Sequence, residues 1–192
     1  MKVSIVTICF NSAETIRTAL QSVIAQSYPD IEYIIVDGKS KDNTLSIVNE
    51  YKESIAKIIS EEDDGIYDAM NKGVKAATGE VIGILNSDDL YANEHVVSNM
   101  VKAIANADAV YADLVYVSRK DTNQVTRAWR AGVYKKGLFK KGWMPPHPTF
   151  FVKKACYDNY GYYSTELNSS ADYELMLRLI HKHEISVNYF PE

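Results

Sequence analysis

The sequence predicts an α/β domain in which a parallel sheet is covered by helices on both faces. Three observations carry this expectation. Over the first half of the chain, short apolar runs alternate with amphipathic stretches of helical period. The apolar runs are nearly continuous and rich in β-branched residues. A polar turn, acidic in most cases, follows each run. Continuous runs mark strands buried on both faces, and strand–helix alternation marks parallel pairing through helical crossovers.

Val3 to Phe10 reads as the first strand. Asn11-Ser12-Ala13-Glu14 has the form of a capping box, with Asn11 as cap, and Ile16, Ala19, Leu20, Val23 and Ile24 follow at helical spacing. Ile31 to Val36 is the second strand and ends at Asp37-Gly38. The polar turn Lys39 to Asn43 then leads into a helix with Leu45 and Val48 on one face. Ile55 to Ile59 is the third strand. Ile66, Met70, Val74 and Ala77 form the next helical stripe, with Gly79 placed to terminate it. Val81 to Leu85 is the fourth strand and runs into Asn86-Ser87-Asp88-Asp89. In the second half, Ala109 to Ser118 and Gln124 to Trp129 read as strands joined by a polar turn at Lys120 to Asn123. Gly132 to His147 is a long loop rich in glycine, lysine and proline, Thr149 to Val152 a further strand, and Asp172 to His183 a helix with Leu175, Met176 and Leu179 inward. No repeat or linker divides the chain, so residues 1–192 are expected to form one domain of two unequal halves.

The composition is that of a soluble globular protein, with 46% hydrophobic and 24% charged residues. A net charge of -4 gives no global reason to expect nucleic acid as a partner. Cys9 and Cys156 lack metal-ligand spacing, and Cys9 lies in an apolar run, which predicts a buried free thiol in a reducing compartment. Val3 to Phe10 is too short for a signal peptide, and no run approaches the ~20 residues of a membrane span. A cytoplasmic protein is expected, one compatible with work at a membrane surface.

In parallel sheets ligands bind outside the carboxyl ends of the strands. Asp37, the Glu61 to Asp64 run and Asp88-Asp89 all fall at such ends, so one shared pocket is expected. Adjacent carboxylates repel, and Asp88-Asp89 suits a hard cation such as Mg²⁺ or Mn²⁺ bridging to phosphate, with capping of the next helix as the ordinary alternative. Asp37 could accept a hydrogen bond from a nucleobase or ribose, or simply form an Asx turn. The acidic run ending in Asp63 and Asp64 could be a solvated loop. Asp172 could serve as a general base or as a helix cap, with Glu174 as the neighbouring candidate base. His147 is held between two prolines, where a structural role is the ordinary reading. Neither a dinucleotide-binding glycine fingerprint nor a P-loop is present.

Taken together, these segments resemble the family 2 glycosyltransferases. The residues that carry the resemblance are Val3 to Thr7 with Phe10 and Asn11, then Ile35 to Gly38 with Ser40, Asp42 and Thr44. Gly65 to Gly73, Ala77 to Glu80 and Leu85 to Asp89 follow, and then Ala171 to Leu175 with Leu177 and Arg178. The run Gly65 to Gly73 is similar to the branch that builds bacterial capsule, O-antigen and exopolysaccharide units. The resemblance implies a GT-A fold: a Rossmann-like mixed sheet flanked by helices, with residues 1–100 as the nucleotide-sugar half and 101–192 as the acceptor side. It implies transfer of a sugar from a nucleotide-diphosphate sugar, a UDP-sugar among them, to a saccharide or lipid-linked saccharide acceptor. Inversion, Mn²⁺ or Mg²⁺ as cofactor, and peripheral association with the inner face of the plasma membrane are part of the same expectation. By position, Thr7 and Phe10 would line the nucleoside pocket and Asp37 would meet the base, with Asp63 close by. Asp88 would face the ribose or a phosphate, Asp89 would ligate the metal, and Asp172 would deprotonate the acceptor. His147 lies where some members carry an active-site histidine. Family members usually continue well past the helix with the base, whereas this chain stops at Pro191-Glu192, so the acceptor half reads as C-terminally shortened. Two other classes stay open on the sequence: a sugar-nucleotide nucleotidyltransferase, and a binding module that has lost catalysis.

Overall fold

The structure, a computed structural model, describes residues 1–191. Its centre is β1 (Val3–Cys9), every residue of which is buried. It pairs in parallel with β2 (Ile31–Asp37) on one side and β4 (Val81–Ile84) on the other, and β2 pairs in parallel with β3 (Lys57–Ser60). The register sets Cys9 opposite Asp37, Asp37 opposite Ser60 and Val6 opposite Ile84, so these carboxyl ends share one edge. Beyond β4 the sheet continues through β8 (Phe151–Lys153), β5 (Ala109–Ala112) and β9 (Val187–Phe190). Strand β8 runs antiparallel to both neighbours, so β5 points the same way as β4. The sheet is therefore mixed.

Alternation along β1 divides the core. Val6 and Ile8 pack with α3 (Ile66–Ala76) and α6 (Ala171–Met176) on one face. Ile5 and Cys9 pack with α1 (Ile16–Ile24), α2 (Thr44–Glu50) and α4 (Val96–Ile104) on the other. Both faces are covered, which is why β1 reads as an unbroken apolar run. Helix α5 (Lys154–Tyr160), which no sequence signal marked, follows β8 directly. Among the described residues no helix is long and apolar enough to cross a membrane.

Several expected boundaries move, each for a local reason. The capping box does not form: α1 begins at Ile16, and Asn11, at φ 49, accepts a hydrogen bond from Lys41 N at 2.9 Å. Gly79 does not end α3, since the chain already turns extended at Ala77. A Cβ on Gly79 would lie 2.5 Å from Ser4 Oγ and 2.7 Å from Ser4 N, so the residue permits a close crossing over β1. Ser4, Thr78 and Lys2 all donate to the buried Glu32. Burial alone would raise that carboxyl, but the bonds from Ser4 and Thr78 and the Lys2 ammonium bring it down to about 2. The predicted strand Ala109 to Ser118 splits at Asp113, whose carboxylate accepts from Ala131 N, Arg130 and the Tyr189 hydroxyl. After the break, β6 (Leu114–Ser118) forms a separate hairpin with β7 (Asp121–Trp129). The third strand starts at Lys57 because a short 3₁₀ turn occupies Lys52–Ser54. From Leu177 to Lys182 the last helix widens into a π-helix, where Arg178 reaches the carbonyls of Tyr160, Gly161 and Tyr162.

The seat of α3 on the sheet depends on Gly73, where a Cβ would overlap Val6 Cγ1 and come within 3.2 Å of Val36 Cγ2. Alanine gains about 1 kcal/mol of helix propensity, whereas forcing a methyl into a full core costs typically 1–3 kcal/mol. Gly73→Ala is therefore expected to lower Tm by roughly 2–6 °C. A calorimetric melt at or above the parental Tm would contradict this packing.

Candidate active site

The carboxyl edge of the sheet is stitched by hydrogen bonds between the loops leaving β1 and β2. Asn11 N donates to Ser40 Oγ at 2.8 Å, Ser12 N to Thr44 Oγ1 at 2.7 Å and Ala13 N to Asp42 Oδ2 at 3.1 Å. Ser12 and Ser87 hydroxyls meet at 2.9 Å, which ties in the turn after β4. Gly38 brings in the loop after β3, because a Cβ there would overlap Asp63 Oδ2 and touch the Phe10 ring at 3.4 Å. Phe10, itself 60% exposed, thus stands beside the Asp63 carboxylate. The shared edge expected from the strand pattern forms.

Two of the expected pocket residues turn inward. The Thr7 side chain is fully buried and its hydroxyl bonds to the Tyr33 hydroxyl at 3.0 Å, so it does not line the edge. Asp37 is fully buried as well, and its carboxylate accepts from Ser40 N at 3.1 Å and Ser60 Oγ at 2.7 Å. Both of these bonds fall on Oδ2, in an Asx-like loop arrangement, while Oδ1 has the longer contacts from Ser40 N at 3.3 Å and the Cys9 thiol at 3.8 Å. Cys9, 3.8 Å from Asp37, is buried, and burial together with the Asp37 charge keeps it a thiol.

Asp88 and Asp89 differ sharply. The Asp88 side chain is 54% exposed and pairs loosely with Arg119 at the tip of the β6–β7 hairpin, at 3.7 Å. Asp89 is largely buried and receives one side-chain bond, from Asn86 Nδ2 at 3.2 Å. Burial, and behind it the Asp88 charge, push its carboxyl up to about 6. The other end of the same amide, Asn86 Oδ1, is buried without a partner. Two carboxylates and an orphaned carbonyl are hard oxygen donors that suit Mg²⁺ or Mn²⁺. Among the described residues no group of three or more His, Cys, Asp or Glu side chains is arranged to hold a metal ion by itself. The donor set thus fits a cation that takes one or two carboxylates and fills its remaining positions from substrate phosphate and water.

On the acceptor side, the Tyr67 hydroxyl donates to Asp172 Oδ1 at 3.3 Å. Burial and the Asp172 charge both raise the Tyr67 phenol, so the donor keeps its proton. His147 belongs to this group. Its Nε2 is sealed from solvent without a partner, its ring meets Tyr163 edge-on at 6.2 Å, and burial lowers its basicity against the opposing pull of Asp172. Tyr163 in turn stacks with Tyr67 at 6.0 Å. Because β8 is reversed, the 3₁₀ turn His147–Thr149 that precedes it lies at the same edge that receives the carboxyl ends of the parallel strands. Both oxygens of Glu174, the neighbouring candidate, bind Arg178, at 2.8 and 2.9 Å. Sequence reasoning gave no role to Tyr67, Asn71 or Arg119. Tyr67 and Asn71, four residues apart on α3, share a face, and Asn71 is bonded both ways to the Tyr163 backbone at 2.9 Å. Two open clefts of about 200 Å³ lie elsewhere, one beside Cys156 and one beside Tyr28.

The raised Asp89 carboxyl has a consequence for stability. Its ordinary value is about 4, so between about pH 4 and 6 the native protein holds this proton more firmly than the unfolded chain. Stability therefore falls as pH rises through that window, by about 3 kcal/mol in all. Asp89→Asn removes the penalty. Without ligand, the variant is expected to melt roughly 4–10 °C above the parent at about pH 7.5 and to converge with it near pH 4. Equal melting temperatures at neutral pH would mean that Asp89 is not strained.

Comparison with known proteins bears on this site. The family model described as Glycosyl transferase family 2 matches residues 4–165. The uncharacterized glycosyltransferase Rv1514c of Mycobacterium tuberculosis is 30% identical over 178 residues, covering 92% of this chain and 68% of that protein. A PGL/p-HBAD biosynthesis glycosyltransferase of Mycobacterium bovis is 29% identical over 181 residues, covering 91% and 68%. Among solved structures, S. aureus TarS 1-349 in complex with UDP superposes with a TM-score of 0.76 at 22% identity, covering 99% of this chain and 58% of that one. The mannosyltransferase PcManGT of Pyrobaculum calidifontis, solved with GDP-Man and Mn²⁺, gives a TM-score of 0.78 at 22% identity, covering 100% and 55%. The chain thus spans little more than half the length of these solved structures, and the likeness shows the same GT-A fold.

Proposed function

The chain belongs to glycosyl transferase family 2, and from that premise we propose that it transfers a hexose from a nucleotide-diphosphate sugar to an acceptor hydroxyl, with inversion and with Mn²⁺ or Mg²⁺. The setting proposed is bacterial cell-surface polysaccharide biosynthesis at the inner face of the plasma membrane, on a saccharide or lipid-linked saccharide acceptor. One observation carries the reading. Asp89 is a partly buried carboxylate with a single side-chain donor, on one turn with a second carboxylate, Asp88, and the orphaned amide oxygen of Asn86.

Residues 1–100 act as the donor half in this reading. The exposed Phe10 ring offers a stacking face, and Asp63 beside it offers an acceptor for a base N–H, which suits uracil. Asp37 and Thr7 hold the loop and the strand behind that face rather than touching the nucleotide with their side chains. Asp88 faces the ribose or a phosphate, and Asp89 and Asn86 hold the cation. When bound, that ion supplies positive charge against the diphosphate as the glycosidic bond breaks.

Residues 101–192 act on the acceptor. Tyr67 fixes Oδ1 of Asp172 and leaves the second oxygen to take the proton of the acceptor hydroxyl. The acceptor oxygen then bonds to the anomeric carbon while the bond to the diphosphate breaks on the opposite face, and the proton ends on Asp172. His147, whose basicity burial lowers, packs beside Tyr163 on the Asp172 side, with its Nε2 closed to solvent.

A thermal-shift screen of UDP-, GDP- and dTDP-sugars with Mn²⁺ tests the donor class. The true donor raises Tm by mass action, and it does so only for the parent and not for Asp89→Asn. Asp172→Asn is expected to keep that shift while losing sugar transfer by about three orders of magnitude or more, the size of a removed catalytic base. No shift with any donor would favour a degenerate module, and loss of the shift in Asp172→Asn would reassign that residue to the donor.

A further inference from the structure

Between Asp121 and Asp158 the chain carries eight lysines and arginines and no acidic residue, although the whole protein has a net charge of -4. Four of these lysines lie on one strap, residues 131–143, that is pinned to the fold from below. Phe139 is 3% exposed, and its ring meets Trp143 at 5.3 Å and Tyr173 at 5.7 Å. Trp143 Nε1 donates to Ala131 O at 2.7 Å, and the Tyr173 hydroxyl donates to Phe139 O at 2.8 Å. With the aromatic rings turned in, the strap turns out Lys135, Lys136, Lys140 and Lys141, together with Val133, which is 65% exposed. Lys136 pairs with Glu184 at 2.6 Å, while the other three have no acidic partner within 4 Å among the described residues.

We propose that this strap docks the protein on an anionic phospholipid bilayer, with the lysines on the headgroups and Val133 in the interface. A pinned loop that exposes three unpaired lysines and an aliphatic side chain fits a surface that is both negatively charged and apolar just below its charge. A soluble polyanion satisfies only the first condition and gives Val133 no role. The strap is bonded to Tyr173, the neighbour of Asp172 on α6, so docking holds the acceptor side of the site against the bilayer. The binding stands on the strap alone, and only its use in catalysis rests on the proposed transfer reaction.

Vesicle co-sedimentation of the whole chain tests this. Phosphatidylcholine vesicles containing phosphatidylglycerol are expected to retain the protein, and phosphatidylcholine alone is not. Added salt should weaken retention as it screens the headgroups. The triple variant Lys135→Ala/Lys140→Ala/Lys141→Ala is expected to lose about 100-fold in partitioning, from a several-fold loss for each lysine near such a surface. Val133→Asp should also weaken retention with the lysines intact. Circular dichroism melts establish that both variants fold, and their shift with nucleotide sugar should equal the parental one. That comparison separates failure of docking from failure of the transfer reading. Retention of the triple variant at parental strength, or no retention of the parent on either vesicle, overturns the proposal. So does complete displacement by single-stranded DNA with Val133→Asp behaving as the parent, which would mark a nucleic-acid surface.

Discussion

The structure turns on how it treats buried carboxylates. A carboxylate removed from water must find donors, find a cation, or take up a proton. At the start of β2, Glu32 finds donors in Ser4 and Thr78 and a cation in Lys2, and its carboxyl falls to about 2. At the end of the same strand, Asp37 finds Ser40 N and the Ser60 hydroxyl. These two acids fasten opposite edges of the sheet. Asp89 is handled differently: one amide reaches it, a second acid stands beside it, and its carboxyl rises to about 6. Satisfied acids hold the fold together, and the unsatisfied one marks where the fold expects something it does not itself provide.

Topology decides who gathers around Asp89. Parallel strands deliver their carboxyl ends to one edge, so Phe10, Asp63 and Asp88 arrive from the first half of the chain without any long-range specificity in the sequence. Close approach does the rest. Gly38 removes the side chain that would hold Asp63 off, and Ser12 and Ser87 tie two of the turns together. The stitched loops also explain why Ser40, Asp42 and Thr44 belong to one motif although none of them needs to touch a ligand: they take the N–H groups of Asn11, Ser12 and Ala13.

Much of this was legible in the sequence, and the gaps are instructive. Strands β1, β2 and β4 could be read because burial on both faces demands apolar runs, whereas β3, half-buried and only four residues long, shifted. The capping box at Asn11 could not be dismissed from sequence, because the same side chain satisfies Lys41 N across a gap that is visible only in three dimensions. The break at Asp113 was equally hidden, since the residues on both sides have strand-like character and the cause is a carboxylate bound by Arg130, Ala131 and Tyr189. At the candidate site, pattern singled out Asp37, Asp88, Asp89 and Asp172 but could not say which acids point outward. Thr7 and Asp37 share the spacing of pocket residues and are spent inside the fold. Tyr67 went unassigned for the opposite reason: a tyrosine on a helix that packs against the sheet looks like core until its hydroxyl is seen on Asp172.

The position of His147 follows from one reversed strand. In a purely parallel sheet the loops that precede strands lie at the edge away from the ligand, and a residue just ahead of a strand would be remote from the chemistry. Strand β8 runs against β4 and β5, which exchanges those ends and sends the turn His147–Thr149 to the ligand edge. Thr149 fastens it there, its hydroxyl oxygen accepting from Ala112 N and its single hydrogen within reach of the Ala112 and Pro146 carbonyls. Two rigid prolines and that double anchor hold the imidazole beside Tyr163, within the field of Asp172 and with Nε2 unpaired. Like the Asp89 turn, His147 carries a polar group that the fold leaves unsatisfied, its Nε2, closed to solvent without a partner. The two lie on turns at one edge, the first ahead of the reversed strand β8 and the second behind β4, the strand that β8 pairs with antiparallel.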